Sequence, residues 1–166
     1  KYHFRRSTRK IDTDVFCMLS GGLDSFIGAI DLLSSNVKPI FVGNYNGGKG
    51  VSVYQKRVIY SLQKHFQVSP KRFYQFYAAP KRGKEDTTRS RSLLFFSHAI
   101  LLASGMNKPV KLYIPENGVI SMNIPLTEHR MGSLSTRTTH PYFMGLLQEL
   151  ITAMALEITI VNPYQF

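Results

Sequence analysis

Short apolar runs alternate along this chain with longer stretches whose apolar residues recur every three to four positions, and few architectures accommodate that order. Residues 14–19 carry Val15, Phe16, Cys17, Met18 and Leu19 without interruption and end in Ser20-Gly21-Gly22, the pattern of a strand buried on both faces. From Leu23 the period changes. Leu23, Phe26, Ile27, Ile30 and Leu33 fall on one helical stripe, closed by Ser34-Ser35-Asn36. Residues 39–43 read as a second strand running into the loop 44–50. Val51, Tyr54, Val58, Leu62 and Phe66 then mark a helix that stops before Pro70. A strand of aromatics over 73–77 precedes a polar, basic loop over 79–88. Residues 93–103, apolar nearly all round, predict a deeply packed helix stopped at Gly105. A fourth strand over 110–114 leads into a polar connection, 116–139, of a length typical of functional or mobile loops. Pro141 opens a last helix, with Thr139 or His140 as its cap and Phe143, Leu146, Leu147, Leu150, Ile151 and Met154 on its apolar side. A strand over 158–161 follows.

The order β-α-β-α-β-α-β-α-β predicts an α/β fold: an open, doubly wound, parallel five-stranded sheet flanked by helices, Rossmann-like. Ligands of such sheets bind outside the carboxyl ends of the strands, near the point where strand order reverses. Loops 20–25, 44–50, 78–92 and 115–140 are therefore the places to look. A chain of 166 residues, 43% of them hydrophobic, can bury one sizeable core. Its 19% charged and 12% aromatic content is incompatible with global disorder. No run of eighteen apolar residues occurs, so no membrane span is expected. With no basic-then-apolar leader, the expected compartment is the cytoplasm. The single cysteine, Cys17, excludes a disulfide framework and a cysteine zinc site within this chain.

The net charge of +11 is concentrated in two stretches. Residues 1–10 hold Lys1, Arg5, Arg6, Arg9 and Lys10 with no acid, so residues 1–13 are expected to form a basic N-terminal arm ahead of one domain over 14–166. Residues 71–91 hold Lys71, Arg72, Lys81, Arg82, Lys84, Arg89 and Arg91 against Glu85 and Asp86. Such clusters suit the phosphates of a nucleotide, a nucleic acid or an acidic partner, or form a solvated basic face.

The chemistry points to Ser20-Gly21-Gly22-Leu23-Asp24-Ser25, between the first strand and the first helix. Two glycines let the backbone turn tightly and approach an anion unobstructed. Unpaired N–H groups at the helix start, with its positive dipole end, face that anion. The Ser20 and Ser25 hydroxyls add donors, and Asp24 suits a magnesium ion bridging phosphate oxygens. A capped helix start after a glycine turn explains a glycine pair alone; it does not explain all six residues together.

Ser-Gly-Gly-Leu-Asp-Ser placed after an apolar strand resembles the signature of the PP-loop ATP pyrophosphatases, the adenine nucleotide alpha-hydrolase-like group with the HUP fold. The resemblance implies ATP and Mg2+ as cofactors, with Ser20, Gly21, Gly22, Leu23, Asp24 and Ser25 around the pyrophosphate. It implies Asp24, Ser20 and Ser25 as catalytic, Asp24 as the metal ligand, and cleavage between the α and β phosphates. The substrate oxygen is adenylated and pyrophosphate leaves, by electrostatic rather than covalent catalysis. Gly43 and Asn44 are assigned to the adenosine side of the site.

Within that group, most of residues 14–166 is similar to the QueC (7-cyano-7-deazaguanine synthase) family. Tyr45 resembles the tyrosine of that family's Asp-Tyr-Gly-Gln turn. Arg91, followed by Leu93-Leu94-Phe95-Phe96, resembles its Arg-Asn pair leading into an apolar helix, which implies Arg91 as a residue binding the ATP cofactor, and Glu116 falls where it carries a polar residue lining the site. Ser92 departs from the family's Asn, Asn44-Tyr45-Asn46-Gly47 from its turn, and residues 135–141 from the stretch that faces the deazapurine. The family's four-cysteine zinc site is absent; together with Lys1 in place of Met, this leads to the expectation of a fragment lacking its C-terminal part. The pattern is closer to the QueC-like proteins of anti-phage operons, the QatC branch of Qat systems. That resemblance implies adenylation of a carboxylate or amide on an unidentified small-molecule or macromolecular acceptor, with defence-system proteins as partners. An RNA-modifying PP-loop enzyme, with nucleic acid as partner through the basic arms, and a non-catalytic nucleotide-binding subunit are the alternatives.

Other motifs compete. Residues 43–50 come within one residue of G-x-x-x-x-G-K-[ST], but Gly50 stands where the magnesium-binding hydroxyl belongs and no later strand supplies the aspartate. Arg137 and His140 suit a substrate carboxylate or phosphate at a helix start, or else capping beside a surface arginine. Glu116 and Asn117 either orient substrate or make a turn with Gly118. His3, His65, His98, His129 and His140 show no metal-ligand spacing. His98 is expected as a satisfied core histidine, and Cys17 as a buried, inert thiol.

Overall fold

A strand buried on both faces must sit centrally, and β1 (Val15–Met18) does so. The computed structural model describes residues 11–45, 49–78, 91–118 and 139–165. Among them the element order is β1, α1 (Leu23–Ser34), β2 (Ile40–Tyr45), α2 (Lys49–Phe66), a 3₁₀ turn (Pro70–Arg72), β3 (Phe73–Tyr77), α3 (Arg91–Ser104), β4 (Val110–Tyr113), α4 (Pro141–Ala153) and β5 (Ile158–Val161). All strand pairs are parallel, in the order β3-β2-β1-β4-β5. The chain winds outward through β2 and β3, then returns past β1 to build β4 and β5. This is the open, doubly wound, Rossmann-like α/β sheet expected from the alternation, and its strand order reverses between β1 and β4.

Side-chain alternation along β1 divides the interior in two. Cys17 and Leu19 join Phe41, Ala29 of α1 and Leu62 of α2 on one face. Phe16 and Met18 join Ile40, Val42, Leu112, Phe96 and Ala99 of α3 and Leu147 and Ile151 of α4 on the other. Phe16, Cys17, Val42, Ala29 and Leu112 are completely buried, each large one contributing about 1.5–3 kcal/mol. Burial pushes the Cys17 thiol far above its usual range, so it is the inert thiol expected. Ile11 packs on the α3/α4-side core, Thr13 is buried and accepts from Val15 N, and Asp12 pairs with Arg72 at 2.6 Å. The packed unit therefore includes residues 11–13, while residues 1–10 of the expected basic arm lie outside the described residues.

Several boundaries differ from expectation for identifiable reasons. β2 continues two residues past Gly43, because Asn44 and Tyr45 pair with Phe76 and Tyr77 and the two tyrosine rings meet at 5.5 Å. Gly43 is thus a buried strand residue, not the start of a phosphate loop. On α2 Gln55 is buried as Leu62 is, whereas Tyr54, expected inward, is 61% exposed. Helix α3 is not packed all round: Leu93 and Leu101 face outward, since a doubly wound sheet covers one side of each helix. His140 caps α4, its Nδ1 accepting from Tyr142 N at 3.2 Å. His98 stacks flat on Phe76 at 4.9 Å, and its Nδ1 is buried with no partner among the described residues, so it is not the satisfied histidine expected. Among the described residues no helix is long and apolar enough to cross a membrane.

Candidate functional site

The site forms at the switch point, where the chain leaving β1 turns into α1 beside the end of β4. Leu19 N donates to Val42 O at 2.7 Å, holding the residue that follows β1 against β2 before the turn. Gly21 follows at φ +90°, and a Cβ there would lie 2.9 Å from Gln55 Cα. Only glycine satisfies both the backbone sign and the close approach of α2. Gly22, the N-cap of α1, has extended geometry and no side-chain cap. The first helical bond runs from Phe26 N to Gly22 O at 3.1 Å. The N–H groups of Leu23, Asp24 and Ser25 therefore have no partner among the described residues, and the positive end of the helix dipole lies open.

The serines prearrange this turn. Buried Ser25 donates from Oγ to Gly22 O at 3.0 Å, so the 3.0 Å contact between the two hydroxyls has Ser20 as its donor. Ser20 Oγ in turn accepts from Gly22 N at 3.3 Å. Both hydroxyls line a cavity of about 260 Å³, whose walls also include Asn44, Ser92, Glu116 and Thr139, with Phe95 and Phe96 at its apolar side. Asn44 reaches it because its side chain alternates away from Gly43 along β2. Its Oδ1 is buried and has no partner among the described residues.

Glu116 comes to the site through glycine packing on α1. A Cβ on Gly28 would overlap the Pro115 ring, so this glycine lets the end of β4 settle against the helix. Asn162 Oδ1 accepts from Glu116 N at 3.4 Å and from Tyr164 N at 3.1 Å, while the Tyr164 hydroxyl bonds Asp31 of α1. The end of β5 thereby braces the turn after β4. Burial first, then the Asp24 charge and a hydrogen bond to Asp24, raise the Glu116 carboxyl to about 7. Glu116 and Asp24 thus stand as two facing carboxyl groups beside the start of α1.

Ser20, Ser25, Asn44 and Glu116 of the expected residues are brought to one cavity, with Asp24 in contact with Glu116. Gly21 and Gly22 shape the turn beneath it, and the Leu23 side chain is 71% exposed beside it. Gly43 does not line the cavity: it faces α2, where a Cβ would meet Gln55 Nε2 at 2.6 Å. Arg91 opens α3 next to cavity-lining Ser92. Asn117 and His140 stand one residue outside the walls, beside Glu116 and Thr139, and Arg137 lies outside the described residues. Sequence reasoning missed Gln55, which is 1% exposed. Its Nε2 donates to Leu19 O at 2.8 Å and its Oε1 accepts from Gln75 Nε2 at 2.9 Å, tying the β1 turn to β3. The sequence carried no signal for it, since the apolar stripe of α2 runs through Tyr54 and places position 54 inward.

A divalent cation fits here by donor chemistry. The Asp24 and Glu116 carboxyls supply hard oxygens, and Asn44, whose Oδ1 is buried without a partner among the described residues, lies in the wall of the cavity that Glu116 lines. Among the described residues no group of three or more His, Cys, Asp or Glu assembles, and this site brings two carboxyls together. Comparison of the chain with protein-family models, with curated proteins and with solved structures finds no match in any of the three.

Proposed function

We propose that this protein is an ATP-dependent adenylating enzyme of the PP-loop type, cleaving ATP between its α and β phosphates. Within that class we assign it to the QueC-like enzymes, in the branch that serves anti-phage defence in the cytoplasm, acting on a carboxylate or amide acceptor. The observation that carries the reading is the uncapped start of α1, with two serine hydroxyls, open to a cavity at the switch point of the sheet.

The residues divide the work as follows. The N–H groups of Leu23, Asp24 and Ser25 and the α1 dipole receive the departing pyrophosphate, whose charge grows as the bond from the α phosphorus to the bridging oxygen breaks. Ser20 redirects its hydroxyl proton from Ser25 Oγ to a phosphate oxygen at little cost, because the turn is already formed. Gly22 leaves the backbone uncovered for that approach; its only neighbour for an added Cβ is Ser20 Oγ at 3.5 Å. Asn44 in the cavity wall places a carboxamide beside the nucleotide or acceptor, and Phe95 and Phe96 exclude water on the apolar side. Asp24 and Glu116 would hold Mg2+, which supplies neutralising charge to the phosphate oxygens when bound. The acceptor oxygen forms the new bond to the α phosphorus, giving an acyl or imidoyl adenylate and pyrophosphate.

Incubation with ATP, Mg2+ and candidate acceptors, resolved by anion-exchange chromatography, tests the reading. Pyrophosphate is expected, with AMP in equal amount once water or an amine attacks the adenylated carbon and displaces AMP from it; ADP and orthophosphate would refute the reading.

A further inference from the structure

The cations of the described chain are unevenly placed. From Lys49 to Ala78 the sequence contains Lys49, Lys56, Arg57, Lys64, Lys71 and Arg72 and not one aspartate or glutamate. By contrast, α1 carries Asp24 and Asp31 with no lysine or arginine, and α4 carries Glu149 alone. Arg72 is neutralised by Asp12, whereas Lys56, Arg57, Lys64 and Lys71 make no ion pair among the described residues. The helical period puts Lys56, Arg57, Tyr60 and Lys64 on one outward face of α2, all exposed, with Tyr54 along its margin. Tyr54, Tyr60 and Tyr77 are 61%, 63% and 68% exposed, which leaves their ring faces open for stacking.

This face ends in a second cavity, of about 310 Å³, on the α2 side of β2 and β3. Tyr45 and Tyr77 stand in ring contact there, tilted by 48°, beside Lys56 and Gln75. Gln75 Nε2 is committed to Gln55, which leaves Gln75 Oε1 without a partner among the described residues. The cavity therefore offers an aromatic platform, a hydrogen-bond acceptor and a cation. Asn44, which lines the first cavity, alternates with Gly43 and Tyr45 along β2, so the two cavities open on opposite faces of the sheet.

We propose that the α2–β3 face binds a single-stranded nucleic acid, with its phosphates along Lys56, Arg57 and Lys64 and a splayed base against Tyr77 in the second cavity. Cations interleaved with exposed aromatics are what such a strand requires: a charged track for the backbone and rings on which bases stack without sequence preference. Lys56 and Lys64 are on the order of 12 Å apart along the helix, enough for two to three phosphates. A duplex keeps its base faces hidden, and an acidic protein partner is distinguished from a single strand by competition with polyglutamate. The inference does not rest on the ATP reading, since it concerns a different cavity and different residues.

Fluorescence anisotropy with a labelled oligothymidylate of about 12 nucleotides tests it on the full chain, across a salt series. The triple variant Lys56→Glu, Arg57→Glu, Lys64→Glu should weaken binding at least tenfold and flatten the log–log salt slope by about 2, at roughly 0.7 per lost phosphate contact. A charge-matched triple, Lys38→Glu, Lys108→Glu, Lys111→Glu, should have a much smaller effect. Tyr77→Ala should cost about tenfold with the salt slope intact, and Tyr77→Phe should restore binding, because the ring face does the stacking. Circular dichroism confirms that each variant is folded; if Tyr77→Ala is not, Tyr60→Ala provides the stacking test. Equal losses from the two triples, tighter binding of the duplex, competition by polyglutamate as effective as by the oligonucleotide, or no loss in the alanine variant would each overturn the proposal.

Discussion

Adjacent glycines at positions 21 and 22 separate what the fold requires from what a ligand requires. Alanine at Gly21 must adopt φ +90°, which costs an L-residue about 1–2 kcal/mol. Its Cβ would also stand 2.9 Å from Gln55 Cα and 3.0 Å from Gln55 N, both backbone atoms of α2. Helix α2 must retreat, at about 1–3 kcal/mol of overpacking. Gly21→Ala is therefore expected to destabilise by about 2–5 kcal/mol, a fall in Tm of roughly 5–15 °C for a chain of this size. Alanine at Gly22 meets ordinary geometry, φ −82° and ψ 171°, and only Ser20 Oγ at 3.5 Å. Its stability cost is below about 1 kcal/mol, that of a poorer N-cap. If phosphates approach over this residue, the methyl group covers the amides they need, and ATP affinity falls at least about tenfold. Urea denaturation and calorimetric ATP titration of both variants measure the two effects separately. A folded Gly22→Ala chain that binds ATP as tightly as the parent would refute the reasoning, as would a Gly21→Ala chain of unchanged stability.

Asp24→Asn removes the charge that faces Glu116, so its melting temperature without magnesium should be unchanged or higher while turnover is abolished; retained turnover would remove Asp24 from the mechanism. Glu116 titrates near 7 in the fold against 4.5 in an unperturbed chain, so the native state binds the extra proton between those values. Stability from this group is full below pH 4.5 and is lost as pH rises through about 7. Urea midpoints measured without metal should fall over that window in the parent and less in Glu116→Gln; parallel profiles would contradict the assignment. Gln55→Leu strands the buried Leu19 carbonyl and the Gln75 amide, and should cost about 2–4 kcal/mol in urea denaturation.

The sheet was legible because its physics is local. An apolar run ending in Ser-Gly-Gly declares a doubly buried strand, and the aromatics of 73–77 coincide with β3 residue for residue. The longer β2 was not legible, since Asn44 and Tyr45 are turn-like by composition and became strand through pairing with Phe76 and Tyr77 across the sheet. Of the candidate site, the β1–α1 turn could be read directly from Ser20 to Ser25. The inward role of Gln55 could not, because the stripe through Val51, Tyr54, Val58 and Leu62 left the choice between positions 54 and 55 to tertiary contacts. Thr139 and Asn44 became cavity walls through the crossing of distant elements, and Gly28 acts only by admitting Pro115. Sequence spacing carries no trace of such contacts.

The most direct test follows backbone amides one by one. Titrating the ¹⁵N-labelled protein with magnesium and α,β-methylene ATP should move the amide resonances of residues 22–25 and that of Asn44, and leave those of residues 60–65 on α2 in place. Nucleotide binding that shifts other amides while those of residues 22–25 stay silent would contradict the account.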